Sequence, residues 1–449
     1  MPGLRLAGVS TDTRTLRPGE LFLALAGPNF DGNRFAEHAV DAGAAGLLLA
    51  EHAHRPECPA HVGLALHPDP RRALGELGAW YRSQLAATVV GVTGSSGKTT
   101  TKNILRELLA RRFPVVASPS SFNNDIGVPH TLCLADDATR VIVVELGTNH
   151  PGEIAALCRI AWPEIGVITN VGPAHLSGLG TLEGVAREKG ALAEALPEGG
   201  LLVLSAASRQ RAELAARTRA RVLTFSVEGS GSERGDMDAH ALFFHSGGTT
   251  FELNGLEVTS PLVGTHNVEN LLAALCVARG LGLELTDLLP ALARLRPAHG
   301  RLERVELGGV TLFDDCYNAN PQSLRAALRV LAGLHGYRRR VLVMGDMLEL
   351  GERSADLHRE LGCEAARAGV DSIVLVGTHV AAAASGAREG GMGAESLVHF
   401  ACAEDAARGA AELVRSGDVV LVKGSRGMAL ERVVGALKEH FGTAPEHPA

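Results

Sequence analysis

The chain has 449 residues, 46% of them hydrophobic and 21% charged, with a net charge of −7; that length allows two to four domains, and the charge gives no global push towards nucleic acid. No apolar run approaches the roughly 18–20 residues of a membrane span, and the opening MPGLRLAGVSTDTR lacks the basic-then-apolar form of a secretory leader, so a cytoplasmic protein without membrane insertion is expected. The seven cysteines form no Cys-x-x-Cys pair, which suits free thiols better than a zinc site or disulfides.

In chain order, residues 1–83 mix short elements: ELFLALAG (20–27) reads as a strand, RFAEHAVDAGA (34–44) as a helix, AGLLLA (45–50) as a strand and HPDPRRALGELGAWYRSQL as a helix. From 84 to 297 the rhythm becomes strand, loop, helix. ATVVGVT (87–93), RVIVVEL (140–146), EIGVITNV (164–171) and GLLVLSA (200–206) are continuous apolar runs, as expected of a parallel sheet covered on both faces. An amphipathic helix is predicted over 98–112, two or three antiparallel strands over 239–263, and helices at 266–280 and 286–295. From 298 to 449 a second alternation sets strands at 310–314, 341–345, 372–376 and 418–422 between helices near 321–334, 354–368, 403–415 and 427–440. The tail GTAPEHPA reads as frayed. The expected fold is α/β in three domains: a small α/β domain (1–83), a doubly wound domain with an added antiparallel sheet (84–297), and a Rossmann-like domain (298–449).

The stretch GVTGSSGKTTT (91–101) joins a buried strand to a helix, the setting in which a glycine-rich loop binds phosphate. Its spacing departs from the common P-loop, which would need a glycine where Val92 stands. In Gly94-Ser95-Ser96-Gly97-Lys98-Thr99, backbone N–H groups would face phosphate oxygens, Lys98 would neutralise the terminal phosphates, and Thr99 would hold Mg2+ through its hydroxyl. Glu145 and His175 follow candidate strands at the carboxyl ends, where a doubly wound sheet presents ligands, and are the candidate metal ligands. A guanine-reading Asn-Lys-x-Asp is absent; Thr169-Asn170-Val171-Gly172 has neither the lysine nor the aspartate. Only five of the 43 basic residues are lysine (98, 102, 189, 423 and 438), so a lysine points to a place that requires a primary amine.

The loop from Thr93 to Thr100 resembles that of the Mur ligases, the ATP-dependent enzymes that extend the peptide of bacterial cell-wall precursors. The resemblance runs co-linearly through Ser121 to Pro129, Glu145 to His150, Gly172 to Leu176, Gly264 to Asn270 and Gly300-Arg301. Within the family, Asp314 to Pro321, Gly345 to Gly351 and Lys423 to Gly427 are similar to the member that adds D-alanyl-D-alanine to UDP-N-acetylmuramoyl-tripeptide. Two stretches depart from the family pattern, Ser205 to Ser208 and Gly190-Ala191-Leu192, and put only local contacts in doubt.

The resemblance implies ATP and Mg2+ as cofactors, with Gly94 to Thr100, Asn267, Asn270, Arg301 and Asp315 on the nucleotide. It implies Thr99, Glu145, His175 and a carbamylated Lys189 as metal ligands, and a catalytic set of Lys98, Glu145, His175, Lys189 and Asn318. Arginine could not replace Lys189 there, because its charge is fixed and a carbamate forms only on a neutral amine. Substrate contacts are implied for Asp12, Thr13, Arg14, Asn29 and Asp31 at the uridine end, for Asn123, Asn124, Tyr317 and Asn320 near the reacting groups, and for Lys423, Ser425 and Arg426 at the dipeptide carboxylate. The expected reaction is amide ligation through an acyl phosphate, by a monomer with small-molecule substrates. Two alternatives stand beside it: a relative that adds a diamino acid to the dipeptide precursor, and a nucleotide hydrolase that makes no bond. The first lacks support at Tyr317 to Asn320, and the second leaves the C-terminal motifs unexplained.

Overall fold

The computed structural model describes residues 4–229, 233–245 and 247–442. Three sheets organise the chain. The N-terminal one holds four parallel strands in the order Val9–Ser10, Leu21–Leu23, Gly46–Ala50 and Gly63–His67. The predicted strand over 20–27 is broken: only Leu21–Leu23 enters that sheet, while Ala26–Gly27 turns away to pair with Phe30–Asp31. The helix expected over 34–44 is a short 3-10 turn followed by Ala36–Asp41.

The central sheet has nine strands, ordered Leu256–Ser260, Gly248–Leu253, Met237–His245, Arg221–Val227, Leu201–Ser205, Ile165–Ile168, Thr88–Thr93, Val141–Glu145 and Val115–Ala117. The three antiparallel strands are not a separate sheet. Phe225 to Val227 pair in parallel with Met237 to Ala239, which carries the ladder straight on from the parallel part. Residues alternate between faces along each strand. Val90 and Val92 meet the helices Lys98–Leu109 and Thr265–Gly280, while Val89 meets Glu153–Ala161 and Leu182–Ala195. Both faces are therefore dry, which is why these strands read as unbroken apolar runs. Register brings three ends together: Val92 lies beside Glu145 and Thr93 beside Ile168, so the loops after all three strands open at one edge.

The C-terminal sheet has six strands, ordered Glu303–Leu307, Val310–Asp315, Asp418–Lys423, Arg339–Gly345, Ser372–Val376 and Leu397–Phe400, all parallel except the first. Asp315 and Met344 both pair with Lys423, so this sheet too gathers its loop residues at one edge. The sequence-based reading missed the strand Glu303–Leu307, the helix Val380–Glu389 and the strand Leu397–Phe400. The frayed tail predicted from Gly442 lies, beyond that residue, outside the described residues. Among the described residues no helix is long and apolar enough to cross a membrane, and all seven cysteines are free.

Candidate active site

The phosphate loop is built on two glycines that no other residue could replace without strain. Gly94 has φ 152° and Gly97 φ 81°. A Cβ on Gly94 would stand 1.9 Å from Thr169 Oγ1, and one on Gly97 would stand 2.2 Å from Asn270 Oδ1. The loop is braced from the neighbouring strand end. Ser95 Oγ donates to Gly172 O at 2.8 Å, Ser96 N–H donates to Asn170 Oδ1 at 3.0 Å, and Thr169 Oγ1 donates to Ser96 O at 2.6 Å. Asn170, rejected as a guanine reader, thus fixes the loop from outside. Lys98 Nζ donates to Gly94 O at 2.9 Å, curled over its own loop. Burial pushes the Lys98 amine down from its ordinary value; Glu145 opposes this and Arg301 adds to it. Thr100 is half-buried one residue beyond Thr99.

Glu145 is buried at the end of its strand, where its carboxylate accepts from Thr99 Oγ1 and from Asn123 Nδ2, each at 2.9 Å. Asn124 does local work, accepting the N–H groups of Ile126 and Gly127. His175, held at φ 53°, places Nδ1 2.7 Å from Glu349 Oε2. Burial and then Lys98 push its imidazole below the ordinary value, towards the neutral form that can serve as a ligand. The hydroxyl of Thr99 beside the Glu145 carboxylate fits a hydrated magnesium ion, which takes one or two protein oxygens and keeps several waters. Lys189 is 1% exposed, and its pKa is lowered to about 7, first by burial and then by Lys98. Its neighbour Glu188 is committed elsewhere, accepting from Gly152 N–H at 2.6 Å and Ile154 N–H at 2.7 Å. Lys189 is therefore not a surface lysine paired with Glu188; its side chain is buried.

A cavity of 560 Å³ brings the phosphate loop, Asn123, Asn124, Glu145 and His175 together with residues of the C-terminal sheet, including Arg301, Tyr317, Asn318, Asn320, Ser425 and Arg426; Lys189 does not line it. Arg301 lies 4.3 Å over the Tyr317 ring, with Nη2 3.5 Å from Thr99 Oγ1. Asn320 Nδ2 donates to Ser95 O at 3.2 Å, and the Arg426 guanidinium lies 5.9 Å from the centre of the Tyr317 ring. Lys423 is buried and donates to Asp315 Oδ2 at 2.6 Å and to Asn318 O at 3.1 Å. Asp315 also accepts Leu302 N–H, fixing the turn that carries Arg301. Ser425 Oγ accepts Leu348 N–H at 2.9 Å. Of the three residues expected at a dipeptide carboxylate, Arg426 alone keeps an exposed head in the cavity. Asn267 and Asn270 are buried beneath the loop: Asn267 Nδ2 donates to Val263 O, and Asn270 Oδ1 accepts from Thr101 Oγ1.

The structure does not bring Asp12, Thr13, Arg14, Asn29 and Asp31 into this cavity; they stand on the surface of the N-terminal unit. Arg14 holds the Asp12 carboxyl down at about 2. Sequence reasoning also missed contributors. Arg71 reaches the cavity from the N-terminal unit and grips Asp125 through two bonds of 2.5 and 2.6 Å. Lys102 is buried and donates to the carbonyls of Ser118 and Ser120, holding the turn behind Glu145; the scarcity of lysine was the available signal. Glu349 had no signal, because only folding sets it against His175.

Residues 5–82 match the Mur ligase family catalytic domain, 92–278 the Mur ligase middle domain and 300–426 the Mur ligase glutamate ligase domain. The chain is 39% identical to the UDP-N-acetylmuramoyl-tripeptide–D-alanyl-D-alanine ligase of Escherichia coli (strain K12), covering 97% of this chain and 95% of that protein. Among solved structures, MurF from Acinetobacter baumannii is similar with TM-score 0.84 and 34% identity, over 96% of this chain and 93% of that one. MurF ligase from Thermotoga maritima in complex with ADP gives TM-score 0.84 and 29% identity, over 98% and 99%. The loop spacing, the shared cavity and these full-length similarities agree, and the chain belongs to the Mur ligase family.

Proposed function

We propose that this protein is an ATP-dependent amide ligase that joins D-alanyl-D-alanine to UDP-N-acetylmuramoyl-tripeptide, yielding the pentapeptide precursor of peptidoglycan. The carrying observation is a single cavity lined both by the phosphate loop and by the Tyr317 to Asn320 and Ser425 to Gly427 segments. A hydrolase that makes no bond has no use for the second set. Near-full-length similarity to a D-alanyl-D-alanine ligase, over all three units, favours this reading over a diamino-acid-adding relative.

The chemistry needs two anions side by side, a substrate carboxylate and a triphosphate. Lys98 and Arg301 converge on that place from two different sheets and supply fixed positive charge where transferring phosphoryl oxygens develop negative charge. The substrate carboxylate attacks the γ-phosphorus and ADP leaves; the dipeptide amine then attacks the acyl carbon and inorganic phosphate leaves. Thr99, Glu145, His175 and a carbamylated Lys189 would hold magnesium, which supplies further charge neutralisation to the phosphates. Arg426, with its exposed guanidinium beside Tyr317, is suited to the dipeptide carboxylate. Lys423 supports it indirectly by holding Asp315 and the Asn318 carbonyl. Asp12, Arg14, Asn29 and Asp31 would meet the uridine end outside the reaction cavity.

The test is phosphate release with ATP, Mg2+ and the UDP-linked tripeptide, with and without D-alanyl-D-alanine, together with product mass. Release that depends on the dipeptide, with a pentapeptide mass, is expected. Release indifferent to it would overturn the substrate assignment.

A further inference from the structure

A second cluster of ligating side chains lies outside the reaction cavity, on the turn and hairpin that carry Arg301. His299, Glu303 and Asp314 each offer one ligand atom, and the three atoms lie within 4.8 Å of one another. Glu303 and Asp314 are directly opposed on the antiparallel pair Glu303–Leu307 and Val310–Asp315. His299 Nδ1 is 2.8 Å from Glu303 Oε2. None of the three lines the cavity.

Asp314 is the independent sign that something belongs there. It is 0% exposed; Oδ1 accepts Cys316 N–H at 3.1 Å and the Cys316 thiol lies against the carboxylate, yet Oδ2 is buried with no nitrogen or oxygen donor among the described residues. A buried carboxylate with an unused oxygen is costly, and a bound ion is one of the few things that relieves it. The other two ligands suit the task. The His299 side chain is 78% exposed and that of Glu303 33%, so both can move, and solvent gives an ion a route to the buried base. Around a tetrahedral ion at about 2.0–2.2 Å the ligand atoms stand roughly 3.4 Å apart, so the His299–Glu303 pair, now at 2.8 Å, would open slightly to admit it.

We propose that His299, Glu303 and Asp314 form a transition-metal site, taking Zn2+ or an ion of its class, that staples the turn bearing Arg301 to the strand bearing Asp315. One imidazole with two carboxylates is a zinc-type donor set; magnesium prefers oxygen alone. The site is separate from the magnesium position beside Thr99 and does not depend on which substrate the enzyme ligates.

The test uses the full chain, stripped with EDTA and returned to excess Mg2+, then titrated with Zn2+ and, separately, with Co2+. The variants are His299→Ala and Glu303→Gln, both at positions open to solvent. Wild type is expected to take up one more Zn2+ than either variant, or to bind it at least tenfold more tightly. Its Co2+ form is expected to show the intense visible absorption of a four-coordinate ion, lost in His299→Ala. Equal Zn2+ stoichiometry and affinity in wild type and both variants would overturn the site. So would a Co2+ spectrum unchanged by His299→Ala.

Discussion

Lys189 shows what one amine can do that thirty-eight arginines cannot. Burial, reinforced by the Lys98 charge and only partly offset by Glu188, brings its pKa to about 7, so near neutral pH a large share is the free amine that can attack carbon dioxide. An ordinary lysine at 10.5 would be almost wholly charged there. Lys189→Arg should therefore lower kcat by about a hundredfold or more, the scale of losing one preorganised electrostatic group, with an unchanged circular dichroism spectrum. Below pH 7 protonation competes with carbamate formation, so the dependence on added bicarbonate should steepen; 13C-labelled bicarbonate should give a carbamate resonance in wild type and none in the variant. Gly97 is legible in a different way, since the glycine spacing was read directly from the sequence and its φ of 81° gives the reason. Gly97→Ala would pay about 1–2 kcal/mol for a left-handed alanine and would also press on Asn270. The KM for ATP should rise about tenfold or more, as each 1.4 kcal/mol is a factor of ten.

At the scale of elements, His358 on the helix Ser354–Arg367 anchors a loop it does not belong to. Its Nε2 accepts Met347 N–H at 3.0 Å and its Nδ1 faces Ser354 O at 2.7 Å, both inside the protein. The loop it holds sends Leu348, Glu349 and Leu350 to the cavity. His358→Leu leaves the Met347 N–H without a partner, and should cost about 1–3 kcal/mol of stability, measurable by urea unfolding, along with a higher KM for the dipeptide. Burial lowers the His358 pKa from 6.5. The unfolded chain thus takes up a proton first as pH falls, and stability, full above 6.5, declines towards the lowered value. That acid-side slope should be shallower in His358→Leu. Two of the elements missed in the sequence have weak patterns. Val115–Ala117 has three residues, and VAAAASGARE (380–389) is so rich in alanine that no apolar stripe stands out.

For the whole molecule, the reaction cavity depends on contacts between units that are distant in sequence. His175 meets Glu349, Asn320 meets Ser95, Arg301 meets Thr99, and Arg71 meets Asp125. Apolar packing crosses the seams as well, with Val263 in the C-terminal core and Tyr81 against the central one, so closure would keep those contacts while the polar ones rearrange. With hinges proposed near 83 and 297, the radius of gyration in small-angle scattering should fall when an ATP analogue and both substrates bind together. An unchanged radius would refute closure.

The sequence by itself determined the phosphate loop, the strand–helix rhythm of the two larger units and the positions of Glu145 and His175, because each rests on local rules. Strands dry on both faces must be apolar throughout, a tight loop over phosphate needs glycine where φ is positive, and ligands collect where parallel strands end. Tertiary structure alone decided that Lys423 serves Asp315, that Glu349 faces His175, that Arg71 reaches the cavity and that Asp314 keeps an oxygen unpaired. Partners tens to hundreds of residues apart are chosen by which surfaces pack together, and no local pattern encodes that choice.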